Sequence, residues 1–195
     1  MKKLTALTIC MLLSGLTFAQ TWMADKAHTR VGFTVTHLLL SEVDGNFKTF
    51  DAKITSAKPD LSDAVFELTA DINSIDTDNE RRDNDLRSDK YFDVAKHPTL
   101  TFKSTSFQKV EGKKYKMMGN LTMRGVTKPM TLEVTMNGPT TMGKQEKAGF
   151  KVTGMLKRSD FSLGTVPVAV VSDEVELKAN GEFVRQDPAA PAPAK

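Results

Sequence analysis

Apolar and polar residues alternate along most of this chain, and the clearest run is Gly119-Asn-Leu-Thr-Met-Arg-Gly-Val-Thr-Lys-Pro129. Leu121 and Met123 alternate with Asn120 and Thr122, Arg124-Gly125 supplies turn chemistry, and Met130, Leu132, Val134 and Met136 then alternate with Thr131, Glu133 and Thr135. A period of two puts each apolar set on one side of a strand, so this run predicts a hairpin with one apolar face. Similar runs recur at 29–37, 45–54, 64–72, 99–107, 115–123, 130–136, 148–156 and 174–183, with turn signals between them. No long apolar helix is available to cover a sheet made of such hairpins. The sheet must therefore pack on itself or close, and the eight predicted strands fit an all-β, antiparallel barrel closed on itself.

The same period assigns the interior. Val31, Phe33 and Val35 share a face, as do Phe66, Leu68, Ala70 and Ile72, then Leu100 and Phe102, then Phe150, Val152 and Leu156. Glu67, Thr69, Asp71, Thr101, Lys103, Lys151 and Thr153 take the opposite, wet face. One short helix is expected over 78–88, opened by Thr77-x-x-Glu80 at capping-box spacing. Leu86 is its only large aliphatic residue, so it serves as a cover at one barrel end, with Leu86, Tyr91 and Phe92 turned inward.

Composition changes the picture at the two ends. Lys2 and Lys3, an apolar run to Phe18 and then Ala19 have the layout of a cleavable secretory signal over 1–19. Cys10 lies inside the apolar run behind bulky Ile9, a poor acylation context, and cleavage removes this single cysteine from the mature chain. The mature protein would then carry out neither disulfide nor thiol chemistry in an oxidising compartment. Residues 20–185 form one domain, and the Pro/Ala-rich 186–195 reads as a disordered tail. The whole chain has a net charge of +3, which falls to +1 once Lys2 and Lys3 leave with the signal. So even a balance gives no reason to expect a nucleic-acid partner.

Candidate chemistry is sparse. The sequence contains no Gly-x-Ser-x-Gly, His-Glu-x-x-His, Cys-x-x-Cys or phosphate-cradling glycine loop, so no catalytic residue is assigned. His28, His37 and His97 lack metal-ligand spacing, and neither a metal nor a cofactor is expected. Arg82-Asp83, Arg87, Arg124, Arg158 and Asp160 have two readings: anchors for a polar head group, or ion pairs that pin the strand connections. Lys109, Lys113, Lys114 and Lys116 surround Gly112 at a hairpin tip, a solvated turn or a contact for an anionic membrane. The apolar interior also has two readings, a filled core or a cavity, and its many methionines suit both.

A further set of motifs runs through the chain in order. It comprises Trp22-x-x-Asp25-x-x-His28-Thr29, Phe33, His37, Gly45-x-Phe47, Ser74-Ile75-Asp76-Thr77, Arg82-Asp83-x-x-Leu86-Arg87-Ser88, Phe92, His97-Pro98-Thr99-Leu100-Thr101-Phe102, Arg158-Ser159-Asp160-Phe161 and Ser172-Asp173-Glu174-Val175. In this the chain resembles the YceI-like family over roughly residues 22–184. Ser162 departs from the glycine the family usually has after the aromatic residue, which bears on that local turn. The resemblance implies a secreted, lipocalin-like barrel that binds polyisoprenoid lipids, here a periplasmic protein that sequesters or carries a long isoprenoid such as a quinone or polyprenyl derivative. The expected wall of the ligand site is Phe33, Val35, His37, Phe66, Leu68, Ile72, Leu86, Phe92, Phe102, Leu121, Met123, Leu132, Val134, Phe150, Leu156, Arg158 and Phe161. Transient membrane contact and a homodimer are the other associations expected. The competing reading is an enzyme that acts on the head group of a lipid in the same tunnel, with His37 or Asp160 as general acid or base.

Overall fold

A computed structural model describes residues 19–186 of the protein. The predicted signal over 1–19 lies outside the described residues except for Ala19, and the predicted tail over 186–195 except for Gln186, which ends β11. The strands are β1 (Gln20–Ala24), β2 (Arg30–His37), β3 (Ser41–Phe47), β4 (Phe50–Ser56), β5 (Val65–Asp71), β6 (Ile75–Asp76), β7 (Thr99–Glu111), β8 (Lys114–Met123), β9 (Val126–Met142), β10 (Gln145–Lys157) and β11 (Val171–Gln186). The helix α1 spans Glu80–Arg87. Neighbouring strands run antiparallel in the order β1-β4-β5-β7-β8-β9-β10-β11, and β11 returns to β1, so these eight strands close a barrel.

The closing strand escapes a pattern reading. β1 is five residues long and only Trp22 in it is fully buried, so it shows no run of alternation. It nonetheless bridges β4, through Trp22 opposite Ile54, and β11, through Trp22 opposite Arg185. β2 lies beyond β1 along the same neighbour, with Phe33 opposite Leu177 of β11. The predicted strand 45–54 is broken at Lys48-Thr49, where Lys48 N donates to Ser74 O at 3.1 Å and Thr49 N to Ser74 Oγ at 2.9 Å. These bonds turn the chain out of line: β4 stays with β5, while β3 pairs with β2 and, at its end, with β6. No ladder joins β6 to β7 among the described residues, and α1 with the segment 88–98 covers that part of the wall.

The hairpin at 119–136 forms as the alternation requires, with Met123 opposite Val126 and Arg124 and Gly125 both left-handed, φ 49° and 73°. This geometry matches the twist of the two strands. Thr77 is not the helix cap expected from the Thr77-x-x-Glu80 spacing. Asn79 is the cap, its side chain accepting from Arg82 N at 3.0 Å. The buried Asp83 carboxylate instead captures Thr77, accepting from its N at 2.9 Å and its Oγ1 at 2.6 Å. Ser162 adopts the left-handed conformation, φ 55°, after the short turn Arg158–Phe161, so the turn is made without glycine.

Candidate functional site

The barrel interior divides into two halves along its axis. At the end that holds the β7–β8 and β9–β10 turns, a stopper of aromatic rings fills it. Phe107 stacks on Tyr115 at 4.5 Å, and Phe66 lies 5.0 Å from Phe107 and 5.2 Å from Phe150, which meets Phe183 edge-on at 5.4 Å. Rings in these orientations pack as aromatic cores do. Toward the α1 end the inward side chains stop meeting, and a cavity of about 380 Å³ remains, within the range of small-molecule sites. Phe66, Phe150 and Phe183 form its floor.

The wall is aliphatic and aromatic. Of the residues expected there, Phe33, Val35, His37, Phe66, Leu68, Leu86, Phe92, Phe102, Leu121, Met123, Leu132, Phe150, Leu156 and Arg158 line the cavity. Ile72, Val134 and Phe161 do not. All three are buried, but their side chains belong to solid parts of the core: Val134 stands opposite Tyr115 in the stopper, and Ile72 and Phe161 lie in turns beyond strand ends. Tyr91, expected to turn inward beside Leu86 and Phe92, lines the cavity, as do Val43, Phe47, Val175, Leu177 and Ala179, which were not among the expected residues. The alternation of Val175, Leu177 and Ala179 in β11 would have identified three of them. Phe47 is set by the corner at Ser74, which no local period reports.

Room in the wall is made at a glycine. Gly45 stands opposite Phe33, and a Cβ there would come within 2.3 Å of the Phe33 ring. The missing side chain lets the ring lean back from the lumen.

One part of the polar lining lies at α1, and another, Thr29, Lys53, Glu67, Lys178 and Asn180, comes from the strands and the β1–β2 connection. Thr77, Arg82 and Asp85 reach the cavity from the α1 side, and His37 from the end of β2. Arg82 donates from Nε to Thr77 Oγ1 at 2.7 Å and from Nη2 to Thr77 O at 2.6 Å; its Nη1 has no acceptor among the described residues. Arg158, 7% exposed, is spent on structure. It donates to the carbonyl oxygens of Ser172, Leu163, Gly164, Val166 and Val171, which fixes the connection between β10 and β11. Arg87 reaches Asn73 O and Ile75 O, and Arg124 reaches Ser162 O and Asp89 O. Of the two readings of these arginines, pinning of connections describes Arg87, Arg124 and Arg158, but through carbonyl acceptors and not the expected ion pairs. Of the two residues named for the enzyme reading, His37 lines the cavity, whereas Asp160 is exposed and does not.

Asp25, His28 and Glu182 converge at the corner between β1 and β2. Lys147 Nζ already sits among them, 3.1 Å from Glu182 and 3.9 Å from Asp25, while His28 Nδ1 lies 2.8 Å from Asp25. The hydrogen bond from His28 is the largest cause holding the Asp25 carboxyl below its ordinary range. The resident Lys147 ammonium offsets part of the negative charge at this corner.

A closed eight-strand antiparallel barrel with an apolar cavity at one end places the protein among lipocalin-like barrels. The chain belongs to the YceI-like family, whose domain model matches residues 22–183. It is similar to Protein YceI of Salmonella newport, 39% identical over 191 residues that cover 95% of this chain and 98% of the relative. It is also similar to the crystal structure of the Campylobacter jejuni YceI protein, with a TM-score of 0.71, 36% identity, and coverage of 84% of this chain and 96% of that one. The fold alone is shared with a Saccharophagus degradans domain described as polyisoprenoid-binding, at a TM-score of 0.61 and 15% identity over 86% of this chain and 98% of that one.

Proposed function

We propose that the protein is a periplasmic carrier that sequesters a long isoprenoid lipid, with the tail in the barrel and the head group toward α1. The observation that carries this reading is the one-ended apolar cavity above the aromatic floor of Phe66, Phe150 and Phe183. A filled core would have no such space, and an aqueous channel would have no such lining. The description of the Saccharophagus degradans domain supports the choice of ligand class, and the signal layout of residues 1–19 supports secretion.

Each branched five-carbon unit moved from water into such a space contributes a few kcal/mol gross, at roughly 0.8 kcal/mol per CH₂-sized group. Rotor ordering and lost translation offset much of it. Tail length therefore governs affinity, and the polar contacts near α1 govern selection of the head group. Arg82 Nη1 and His37 are the groups that remain available for a carbonyl or phosphate oxygen. The protein's work in this reading is to keep the lipid out of water, and the lipid is the only small molecule it needs. Mass spectrometry of an organic extract of the mature protein, purified from the periplasm without detergent, is expected to show a stoichiometric isoprenoid. An extract without one, from a protein that also takes up no offered isoprenoid, would overturn the reading.

A further inference from the structure

The turn between β2 and β3 breaks a local rule. Leu40 N donates to His37 O at 3.0 Å, which closes a two-residue loop whose central residues Leu38 and Leu39 are left-handed, φ 53° and 56°. Such loops select Asn-Gly or Asp-Gly, because a large side chain crowds its own backbone at positive φ. Here both positions hold leucine, and the side chains are not turned inward to be buried: Leu38, Leu39 and Leu40 are 47%, 77% and 86% exposed. A second apolar edge joins them, since Leu38 N donates to Val170 O at 2.9 Å and both Val170 and Val168 are exposed. Neither the barrel core nor the cavity accounts for these five side chains.

Their position in the fold is specific. His37 precedes the leucines and Val171 follows the valines, and both line the cavity. The patch therefore stands beside the α1 end of the lumen, away from the aromatic stopper. The lysine tip at Lys113-Lys114 lies at the stoppered end, where a membrane contact would hold the cavity away from the bilayer.

We propose that the Leu38–Leu40 turn, with Val168 and Val170, is a bilayer-docking surface that inserts at the acyl-chain boundary and sets the α1 end of the cavity against the membrane. A second copy of the chain fits the patch less well. Five side chains on a projecting turn present roughly a few hundred Å² of apolar surface, short of the about 800 Å² per partner of a stable protein interface. A bilayer demands no complementary shape, and it is the phase in which a water-insoluble lipid resides. The docking step stands independently of the carrier reading; only the exchange of an isoprenoid across the contact rests on it.

The test is flotation of the full mature protein with phosphatidylcholine vesicles at low and high salt. Co-flotation that survives salt is expected, because the contact is apolar. The variant Leu39→Asn with Leu40→Ser is expected to lose about tenfold or more of vesicle partition. Asparagine tolerates the left-handed backbone, so the variant's Tm should be unchanged or higher, and its retained lipid should be unchanged because neither residue lines the cavity. Wild type that stays with the unbound fraction, or a variant that floats as well as wild type, would overturn the proposal. So would a wild-type dimer that the double substitution dissociates, which would assign the patch to a second copy. Flotation by a protein that yields no extractable isoprenoid and takes up none when offered would leave docking standing and remove the carrier reading; an isoprenoid-loaded protein that never floats would do the reverse.

Discussion

Arg158 gives from all three guanidinium nitrogens to five carbonyl oxygens, and among the described residues no carboxylate lies within ion-pair distance of it. A buried cation hydrogen-bonded only to carbonyl oxygens is a fastener whose removal leaves several acceptors unpaired. Arg158→Met is expected to cost on the order of 2–4 kcal/mol in urea unfolding and to expose the 162–170 connection to proteolysis. A variant that keeps its stability but loses its lipid would instead make Arg158 a head-group ligand. Gly45 offers the opposite experiment, one on lumen volume. Gly45→Val drives the Phe33 ring into the cavity, and is expected to lower the amount of isoprenoid recovered per protein by mass spectrometry while the barrel still folds. The leucines of the β2–β3 turn belong to the same scale: left-handed residues with a Cβ cost about 1 kcal/mol each, a cost carried without any gain in packing.

At the scale of elements, α1 is held by its polar residues. Thr77, bound by Asp83 and Arg82, ties its start to the end of β6, and Phe92 N donates to Leu86 O at 3.0 Å to fold the following segment against it. At the opposite end, Asp63 clasps the β4–β5 connection, accepting from Ser56 Oγ and from the backbone of Ala57 and Lys58. The Ser56 hydrogen bond is the largest cause holding the Asp63 carboxyl below its ordinary range. The Lys53 and then the Lys103 hydrogen bonds do the same for Glu67, and Ser159 does so for Asp173. A depressed carboxylate contributes stability that is complete above its unfolded pKa and is lost as pH falls through the folded one. Tm should therefore hold from neutral pH down to the ordinary carboxylate range near pH 4 and drop below it. Asp63→Asn should lower Tm at neutral pH and make this acid slope shallower, as measured by calorimetry across pH. An unchanged slope would show that the clasp does not persist in solution.

For the whole molecule, the decisive feature is that one end of the barrel is stoppered and the other is not. Phe150 contacts both Phe66 and Phe183 and forms the cavity floor. Phe150→Ala should cost about 3–5 kcal/mol in the absence of lipid. It should also deepen the lumen, so that lipids offered in competition are retained with a shift toward longer tails. If the distribution of retained lengths does not move, the floor does not set tail length.

Much of the barrel was legible because a strand's side chains alternate and one face of every wall strand had to be dry. The runs in β5, β7, β8, β9 and β10 identified the wall and most of the cavity lining before any tertiary contact was known. The same rule could not separate Val134, which fills the stopper, from Leu132, which faces the lumen, since both are inward residues of β9. Only the positions of Tyr115, Phe107 and Phe150 along neighbouring strands decide that. Nor could it find β1, whose role is to bridge strands distant in sequence, or the break at Lys48-Thr49, which depends on Ser74. The sequence by itself determined that an antiparallel sheet would close around an apolar interior, because period and propensity are local. The tertiary structure alone decided where that interior is solid and where it is empty, and which arginines are fasteners, because both depend on residues that meet only when the ring is closed.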